Sequence, residues 1–225
     1  MCMNRLHLLL TMLAWLAGCQ QASQDYFPLA GDLHREYVIE EQVNNEKHVL
    51  KSIVTSLEPR TIDGITYYPQ RFASDKTWFF RKSPEGIFAT PDLDWPGKII
   101  LGFPLIPGTT WQTETRLDIL HRRHESFSGG ESFISLEQKI LLDFQIASLE
   151  ETVRVPAGQF THCLRVDGTG NVKVEARTRG IESIRVEQTD WYARGMGLVK
   201  RLRTEKSIPE KYQGTLVQEL VTTKH

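Results

Sequence analysis

Two histidines stand close together in the run His121-Arg122-Arg123-His124, which makes it the first candidate for metal chemistry. Imidazole nitrogens bind zinc when their side chains converge on one point. In a strand, however, His121 and His124 point to opposite faces, because successive side chains alternate. We therefore interpret the run as the solvated end of a hairpin beside the polar loop 126–131. The alternative is a weak role in contacting lipid phosphates or an acidic partner.

Carboxylates give two further candidate sites. Asp92 and Asp94 offer oxygen ligands for calcium, but no third carboxylate follows at the spacing of a calcium loop. Glu187 and Asp190 offer the acid and base that proton-transfer catalysis requires. Charged residues are equally ordinary on the wet face of a strand, and we interpret this pair in that way.

Nucleophilic chemistry has little support. Ser128 precedes Gly129 and Gly130 but lacks the Gly-x-Ser-x-Gly frame of a nucleophile elbow. Cys163 lies in an apolar strand, where a thiol is normally buried and inert. The chain has no phosphate loop, dinucleotide fingerprint, zinc spacing or haem motif. We therefore predict no enzymatic activity, no catalytic residue, no metal site and no cofactor.

The elements that carry these residues are predicted to be strands. Apolar and polar residues alternate in the segments 37–43, 112–120 and 171–179, which is typical of antiparallel strands with one buried face. Ile134–Glu150 fits a strand or a helix, and we favour the strand because 152–155 continues the alternation. Turn signals predict about ten to twelve strands. They include Asp63-Gly64, Pro84-Glu85-Gly86, Pro96-Gly97, Pro107-Gly108, Pro156-Ala157-Gly158 and Asp167-Gly168.

The fold class that follows is mostly β with little helix, a curved antiparallel sheet or open half-barrel. Residues 26–225 are predicted to form one domain. Similar strand–turn–strand signals recur in the same order in residues 26–95 and 103–205, which suggests two degenerate repeats. Either half alone would leave an apolar face exposed, so we expect the two halves to share one core.

The N-terminus has the layout of a secretory signal. Arg5 precedes the short apolar run Leu6–Leu16, which is too short to span a bilayer as a mature helix. The end Leu16-Ala17-Gly18-Cys19 resembles a bacterial lipobox. That resemblance implies cleavage of residues 1–18 and lipidation of Cys19, with 19–25 as a tether. The alternative is an ordinary signal that happens to have a cysteine near its cleavage site.

Localisation and charge limit the partners. Gln20 after the lipidated cysteine implies an outer-membrane anchor facing the periplasm, by analogy with bacterial lipoprotein sorting. Removal of residues 1–18 takes away Arg5 and no acidic residue, which leaves a formal charge of about −2. This balance excludes the basic excess of a nucleic-acid binder. Cys163 is then the one cysteine left besides Cys19, so we expect no intrachain disulfide.

A resemblance to one family covers most of the mature chain. Val155-Pro156-Ala157-Gly158-Gln159-Phe160, followed by Cys163-Leu164 and by Trp191-Tyr192-Ala193-Arg194-Gly195-Met196-Gly197-Leu198-Val199-Lys200, resembles a set of uncharacterised bacterial envelope lipoproteins. The opening Tyr26-Phe27-Pro28-Leu29 is also similar, although a tryptophan common near that strand is absent. The resemblance implies a fold like the open half-barrels of lipoprotein carriers, and it implies no activity.

Three functions remain open. The first is an envelope assembly or interaction protein that docks a partner through an exposed edge strand or the 92–107 loop region. The second is a carrier or sensor of a lipid or other apolar ligand, bound on an apolar face. The residues proposed for that face are Trp78, Phe80, Phe88, Trp95 and Phe103, with neighbours that include Phe79 and Ile99–Leu101. The third, an enzyme, would need polar groups converging in a cleft.

Overall fold

The computed structural model describes residues 25–29, 32–43, 46–120, 138–176, 180–210 and 212–224. Cys19, the run 121–124 and the segment 128–130 lie outside these ranges. The described residues form thirteen strands with almost no helix. The strands are β1 (His34–Val43), β2 (Glu46–Ser56), β3 (Arg60–Ile62), β4 (Ile65–Phe72), β5 (Thr77–Ser83), β6 (Gly86–Thr90), β7 (Lys98–Gly102), β8 (Thr110–Arg116), β9 (Lys139–Val155), β10 (Gly158–Ala176), β11 (Gly180–Ala193), β12 (Gly197–Ile208) and β13 (Gln213–Lys224).

Twelve of the strands form one continuous antiparallel path in the order β7-β6-β5-β4-β2-β1-β13-β12-β11-β10-β9-β8, and β3 pairs with β4 beside it. Strands from the first part of the chain occupy one side of the path and strands from the second part occupy the other. The two sides join where β1 pairs with β13. The predicted β fold class is therefore confirmed, and the two-repeat interpretation stays a prediction.

The ends of the path, β7 and β8, meet at a seam that nearly closes the sheet into a barrel-like shape. In the described part of the chain, no backbone ladder joins these two strands. Side chains close the seam instead. The Thr113 hydroxyl donates a hydrogen bond to the Ile99 carbonyl. The Trp111 ring lies so close to Gly102 that a Cβ there would come within 2.7 Å of it.

Most local predictions are confirmed. The ambiguous segment is a strand from Lys139 onward, and the predicted hairpin turns at 63–64, 84–86 and 156–158 join consecutive strands. Asp63 and Gly64 both have positive φ, at 49° and 77°, the backbone that a two-residue hairpin turn requires.

The turn predicted at Asp167-Gly168 is wrong, because both residues lie inside β10. Gly168 packs against Phe144 of the neighbouring strand, and a Cβ at Gly168 would come within 2.3 Å of that ring. Glycine here serves close packing between strands instead of chain reversal.

The core fills the inside of the sheet. Its main cluster includes Phe80, Leu142, Leu164 and Val186, all under 6% exposed. The N-terminal segment 25–29 also contributes to it through Tyr26 and Leu29. Among the described residues, no helix has the length and apolar character needed to cross a membrane.

Candidate functional site

A row of polar side chains lies on the inward face of β11 and β12. Gln188 and Asp190 follow Ile184 and Val186 at alternate positions of β11, so they share the inward face of those apolar residues. The ladder places Gln188 opposite Arg203 and Asp190 opposite Arg201. The prediction that Asp190 lies on a wet face is therefore wrong, because Asp190 is only 3% exposed.

Asp190 and Arg201 form a bidentate ion pair. Arg201 Nε and Nη2 donate to the two Asp190 carboxylate oxygens, each at 2.7 Å. Oδ2 also accepts hydrogen bonds from Gln188 Nε2 at 3.0 Å and from the Tyr192 hydroxyl at 3.3 Å. Burial opposes the charge of Arg201, but the Asp190 carboxylate overcomes it and raises the Arg201 pKa. The ion pair therefore favours the charged form of Arg201 at this partly buried position.

A second ion pair joins β12 to the segment that follows β8. Arg203 Nε donates to Glu205 Oε1 at 2.9 Å, and Arg203 Nη2 donates to the Arg116 carbonyl at 2.7 Å. The Glu205 carboxylate also accepts the backbone N–H groups of Asp118, Ile119 and Leu120, at 2.9–3.1 Å. Glu205 is fully buried and fully compensated, so its evident role is to hold this segment in place.

Lys98 is a half-buried cation at the start of β7. It begins β7 opposite Ala89, a core residue, and its ammonium lies 5.3 Å from the centre of the Trp78 ring. Burial lowers the Lys98 pKa, the nearby Arg201 cation lowers it further, and the Asp118 carboxylate opposes both effects. Among the described residues, Lys98 makes no salt bridge. Sequence reasoning did not single out this lysine.

Two buried polar atoms next to Trp78 have no hydrogen-bond partner. Gln70 lies opposite Trp78 on β4, and Ser56 lies opposite Gln70 on β2. The Gln70 Nε2 and Ser56 Oγ atoms are unpaired, although the residues are only 2% and 5% exposed. Unpaired buried donors are costly, so they mark a place where a polar group is expected to bind.

The five aromatic residues predicted to share one apolar face are divided among three places. Trp78 and Phe80 point inward, and Phe80 contacts the Phe27 ring at 5.5 Å between centroids. Phe88 and Trp95 point outward. Phe103 lies at one end of the sheet. The structure therefore does not bring these five together.

The outward pair lines an open groove of about 420 Å³. Its walls include Phe79, Phe88 and Trp95, and Trp95 is 50% exposed. The Arg81 guanidinium lies 4.2 Å from the centre of the Phe88 ring. This groove belongs to the 92–107 region that the docking hypothesis named.

A second cavity, of about 240 Å³, lies at the end of the sheet where the N-terminal segment enters. It is lined by Phe27, Ile87, Leu101, Phe103, Leu105, Tyr26, Asp25 and Lys82. The Lys82 ammonium lies 5.7 Å from the centre of the Phe103 ring. The lining therefore combines apolar side chains with two charged residues, Lys82 and Asp25.

The N-terminal segment is fixed to the sheet at this end. Tyr26 is 1% exposed. Its hydroxyl donates to the His162 carbonyl and accepts from Arg194 Nε, both at 3.0 Å. The Asp25 carbonyl accepts the Gly195 N–H at 2.8 Å. These contacts join residues 25 and 26 to this end of the sheet.

The other candidate residues do not assemble into a site. Glu187 points outward and pairs with Arg185 at 2.8 Å, on the face opposite to Asp190. Asp92 and Asp94 are exposed, and the Asp92 carboxylate accepts the Asp94 N–H. No group of three potential metal ligands occurs within the described ranges.

Among the described residues, the edge of β2 is open over most of its length. On one side, β2 pairs with β1 from Glu46, opposite Val43, to Thr55, opposite His34. On the other side, β4 pairs with β2 only from Val54 to Ser56. Along the open part, Val49, Leu50 and Ile53 are 56%, 45% and 40% exposed. An edge of this kind is a template for pairing with another strand.

Comparisons with known proteins give two similar solved structures. A protein from Bacteroides fragilis described as exported, with a YmcC-like fold, is 12% identical, with a TM-score of 0.44 over 88% of this chain and 98% of that chain. A protein from Parabacteroides distasonis described as a lipoprotein is 14% identical, with a TM-score of 0.39 over the same shares. No protein-family model and no curated protein matches the chain. The fold of this chain is defined by the strand order and register given above.

Proposed function

We propose that this chain is a lipid-anchored protein of the bacterial envelope that docks a partner protein on the open edge of β2. The observation that carries the proposal is the seven-residue stretch 47–53, which in the described part of the chain is paired on one side and carries exposed apolar side chains. Most proteins protect such an edge, because it promotes aggregation. An edge left open over this length indicates that a strand of another protein covers it.

The direction of the backbone groups supports this. The Ser56 N–H donates to Leu33, on the β1 side, whereas the Leu57 N–H donates to Pro69, on the β4 side. Backbone groups alternate along a strand, and the β1–β2 ladder has no register shift. The N–H groups of Val49, Lys51 and Ile53 therefore point to the open side, where they can pair with an added strand.

The side chains suggest the chemistry of the partner. Val49, Lys51 and Ile53 lie on the outer face, because their ladder partners Glu40, Val38 and Glu36 do. The expected partner segment is extended, with apolar residues at alternate positions and an acidic residue opposite Lys51. Its backbone hydrogen bonds would supply affinity, and the alternate side chains would supply specificity.

The anchor would keep the domain close to the membrane. Lipid on Cys19 and the contacts of Asp25 leave a tether of six residues, which spans at most about 20 Å. The domain would then meet partner proteins of the envelope within reach of this tether. Localisation at the outer membrane and a periplasmic orientation belong to this proposal.

Crosslinking in living cells tests the docking edge. A photoreactive amino acid at Lys51 should give one defined protein adduct. Val49→Pro removes an N–H that points to the open side of β2 and leaves the β1–β2 ladder intact. The adduct should therefore disappear while the melting temperature changes little. Val49→Thr keeps the N–H and should keep the adduct.

Two results would overturn the proposal. One is an adduct that persists in Val49→Pro. The other is the same adduct formed from position 187, an exposed site on the outer face of β11 far from this edge in the strand order.

A further inference from the structure

The interior region around Lys98 has the features of a binding site, and it is separate from the β2 edge. Trp78, Gln70 and Ser56 lie on neighbouring strands of the inward wall, and Lys98 lies over the Trp78 ring. Arg201 belongs to the facing wall of β12 and is close enough to Lys98 to influence its ionisation. Two cations from different walls therefore face one interior region.

The charges in this region are not balanced in the same way. Asp190 occupies Nε and Nη2 of Arg201, and the Arg201 side chain still retains 30% exposure, against 4% for that of Asp190. Glu205 is engaged by Arg203 and by three backbone N–H groups. Neither carboxylate forms an ion pair with the Lys98 ammonium. The Asp118 carboxylate favours the Lys98 charge from nearby but forms no salt bridge with it, so this half-buried cation can still pair with a bound anion.

The neutral donors point to the same kind of ligand. The Gln70 amide and the Ser56 hydroxyl are buried and unpaired on the wall that carries Trp78. An anionic headgroup accepts hydrogen bonds from ammonium, guanidinium, amide and hydroxyl donors alike. The amide and hydroxyl donors lie on the strands next to Trp78, the ammonium lies over the Trp78 ring, and the guanidinium belongs to β12.

Apolar surface continues from this region along β6 and β7. Leu101 and Ile87 face inward on the same strands and line the 240 Å³ cavity beside Phe27. Lys98 and Leu101 are three residues apart, about 10 Å along a strand. A ligand with a charged head at Lys98 and an alkyl tail toward Leu101 would match this gradient.

We propose that the interior binds a small anionic amphiphile, with a carboxylate or phosphate headgroup held between Lys98 and Arg201. The site combines charged donors that fix the headgroup with an apolar wall for the tail, the usual composition of a ligand site. This binding does not depend on the docking function and would hold if that function failed.

Calorimetric titration of residues 20–225 tests the site with decanoate, decyl phosphate, decanol and inorganic phosphate as probes. Decanoate or decyl phosphate should bind one molecule per chain, and their relative affinities would distinguish the two headgroups. Decanol should bind at least about tenfold more weakly, because it lacks the charge that the donors recognise.

Two matched lysine variants locate the site. Lys98→Met removes the interior ammonium and keeps the length of the side chain, so it should weaken binding of the anionic probe at least about tenfold. Lys173→Met removes an exposed lysine of β10, outside the proposed site, and should bind like the unchanged protein. Lys98→Met is expected to fold, because it removes a buried charge.

Several results would overturn the proposal. They are the absence of binding by both anionic probes, equal binding of decanol, and unchanged affinity in Lys98→Met. Equal weakening in Lys173→Met would also overturn it, because the loss of any lysine would then have the same effect. Inorganic phosphate that binds as tightly as decyl phosphate would exclude an amphiphile, since the tail would then contribute nothing.

Discussion

Cys163 shows how the interior changes the chemistry of a single residue. Its side chain is fully buried in a second apolar cluster with Val153, Val199 and Leu220. Its thiol donates a weak hydrogen bond to the Phe160 carbonyl at 3.6 Å. Burial raises the pKa of Cys163 to about 11. The expectation of a buried thiol is therefore confirmed, and the reactive thiolate is suppressed at neutral pH.

We predict that a thiol reagent labels Cys163 at pH 8 only when the domain unfolds. The folded pKa of about 11 lies above the ordinary 9.0, so the thiol contributes to stability fully below pH 9. This contribution is lost as the pH rises toward 11. Labelling rates measured against urea concentration, and unfolding free energies measured from pH 8 to 11, check both points.

Cys163→Ala is the control for the pH dependence, because its stability should lack this part of the alkaline decline. Rapid labelling of the native protein, at a rate independent of urea, would contradict the prediction.

At the same scale, sequence reasoning located the apolar core positions but missed the interior charges. The alternation rule assigns polar residues to the wet face, which places Asp190 wrongly. The signal was present, since Gln188 and Asp190 continue the phase of Ile184 and Val186. Recognising it requires the partner Arg201, and which strand faces β11 is a tertiary fact that alternation does not contain.

At the scale of elements, the segment after β8 ends differently from the prediction. The alternation in 112–120 predicts one strand, but β8 ends at Arg116 and Leu117–Leu120 leaves the sheet. The three N–H groups of residues 118–120 donate to Glu205, 85 to 87 positions later. A contact of this sequence separation cannot be read from local periodicity.

We predict that Glu205→Gln destabilises the domain by about 3 kcal/mol, because it leaves Arg203 without its buried partner charge and offers one acceptor oxygen instead of two. Urea unfolding measures the loss. Hydrogen exchange at the Ile119 and Leu120 amides should accelerate more than exchange in β9.

Glu187→Gln is the matched control, since this exposed carboxylate on the neighbouring strand should change stability by less than about 0.5 kcal/mol. Equal effects of the two substitutions would show that Glu205 does not hold the segment.

At the scale of the whole molecule, the antiparallel curved sheet could be predicted, whereas the strand order could not. Thirteen strands exceed the ten to twelve that the turn signals indicated, partly because β3 is only three residues long. The joining of β1 to β13 and the seam between β7 and β8 depend on contacts distant in sequence or made by side chains alone. Local patterns contain no information about them.

The seam gives a prediction at this scale. Gly102→Ala should destabilise the domain by about 1–3 kcal/mol, because the new methyl group would displace the Trp111 ring from its place across the seam. Urea unfolding and near-ultraviolet circular dichroism of the tryptophan check this. Thr110→Ala, an exposed neighbour at the start of β8, should leave both unchanged. Unaltered stability and spectrum in Gly102→Ala would contradict this prediction, because the seam would then accommodate the methyl group without moving the Trp111 ring.

The pairing of β1 with β13 also limits the order in which the strands can pair as the chain emerges with its N-terminus first. β1 can pair with β2 early, but its other edge must wait until residues 213–224 are available. β12 waits for the same strand. Until then, two separate sheets would each have an unpaired edge that could pair with another chain. The pairing of β13 with β1 and β12 joins them into one sheet. A chaperone that shields edges is therefore needed most just before the end of synthesis or export.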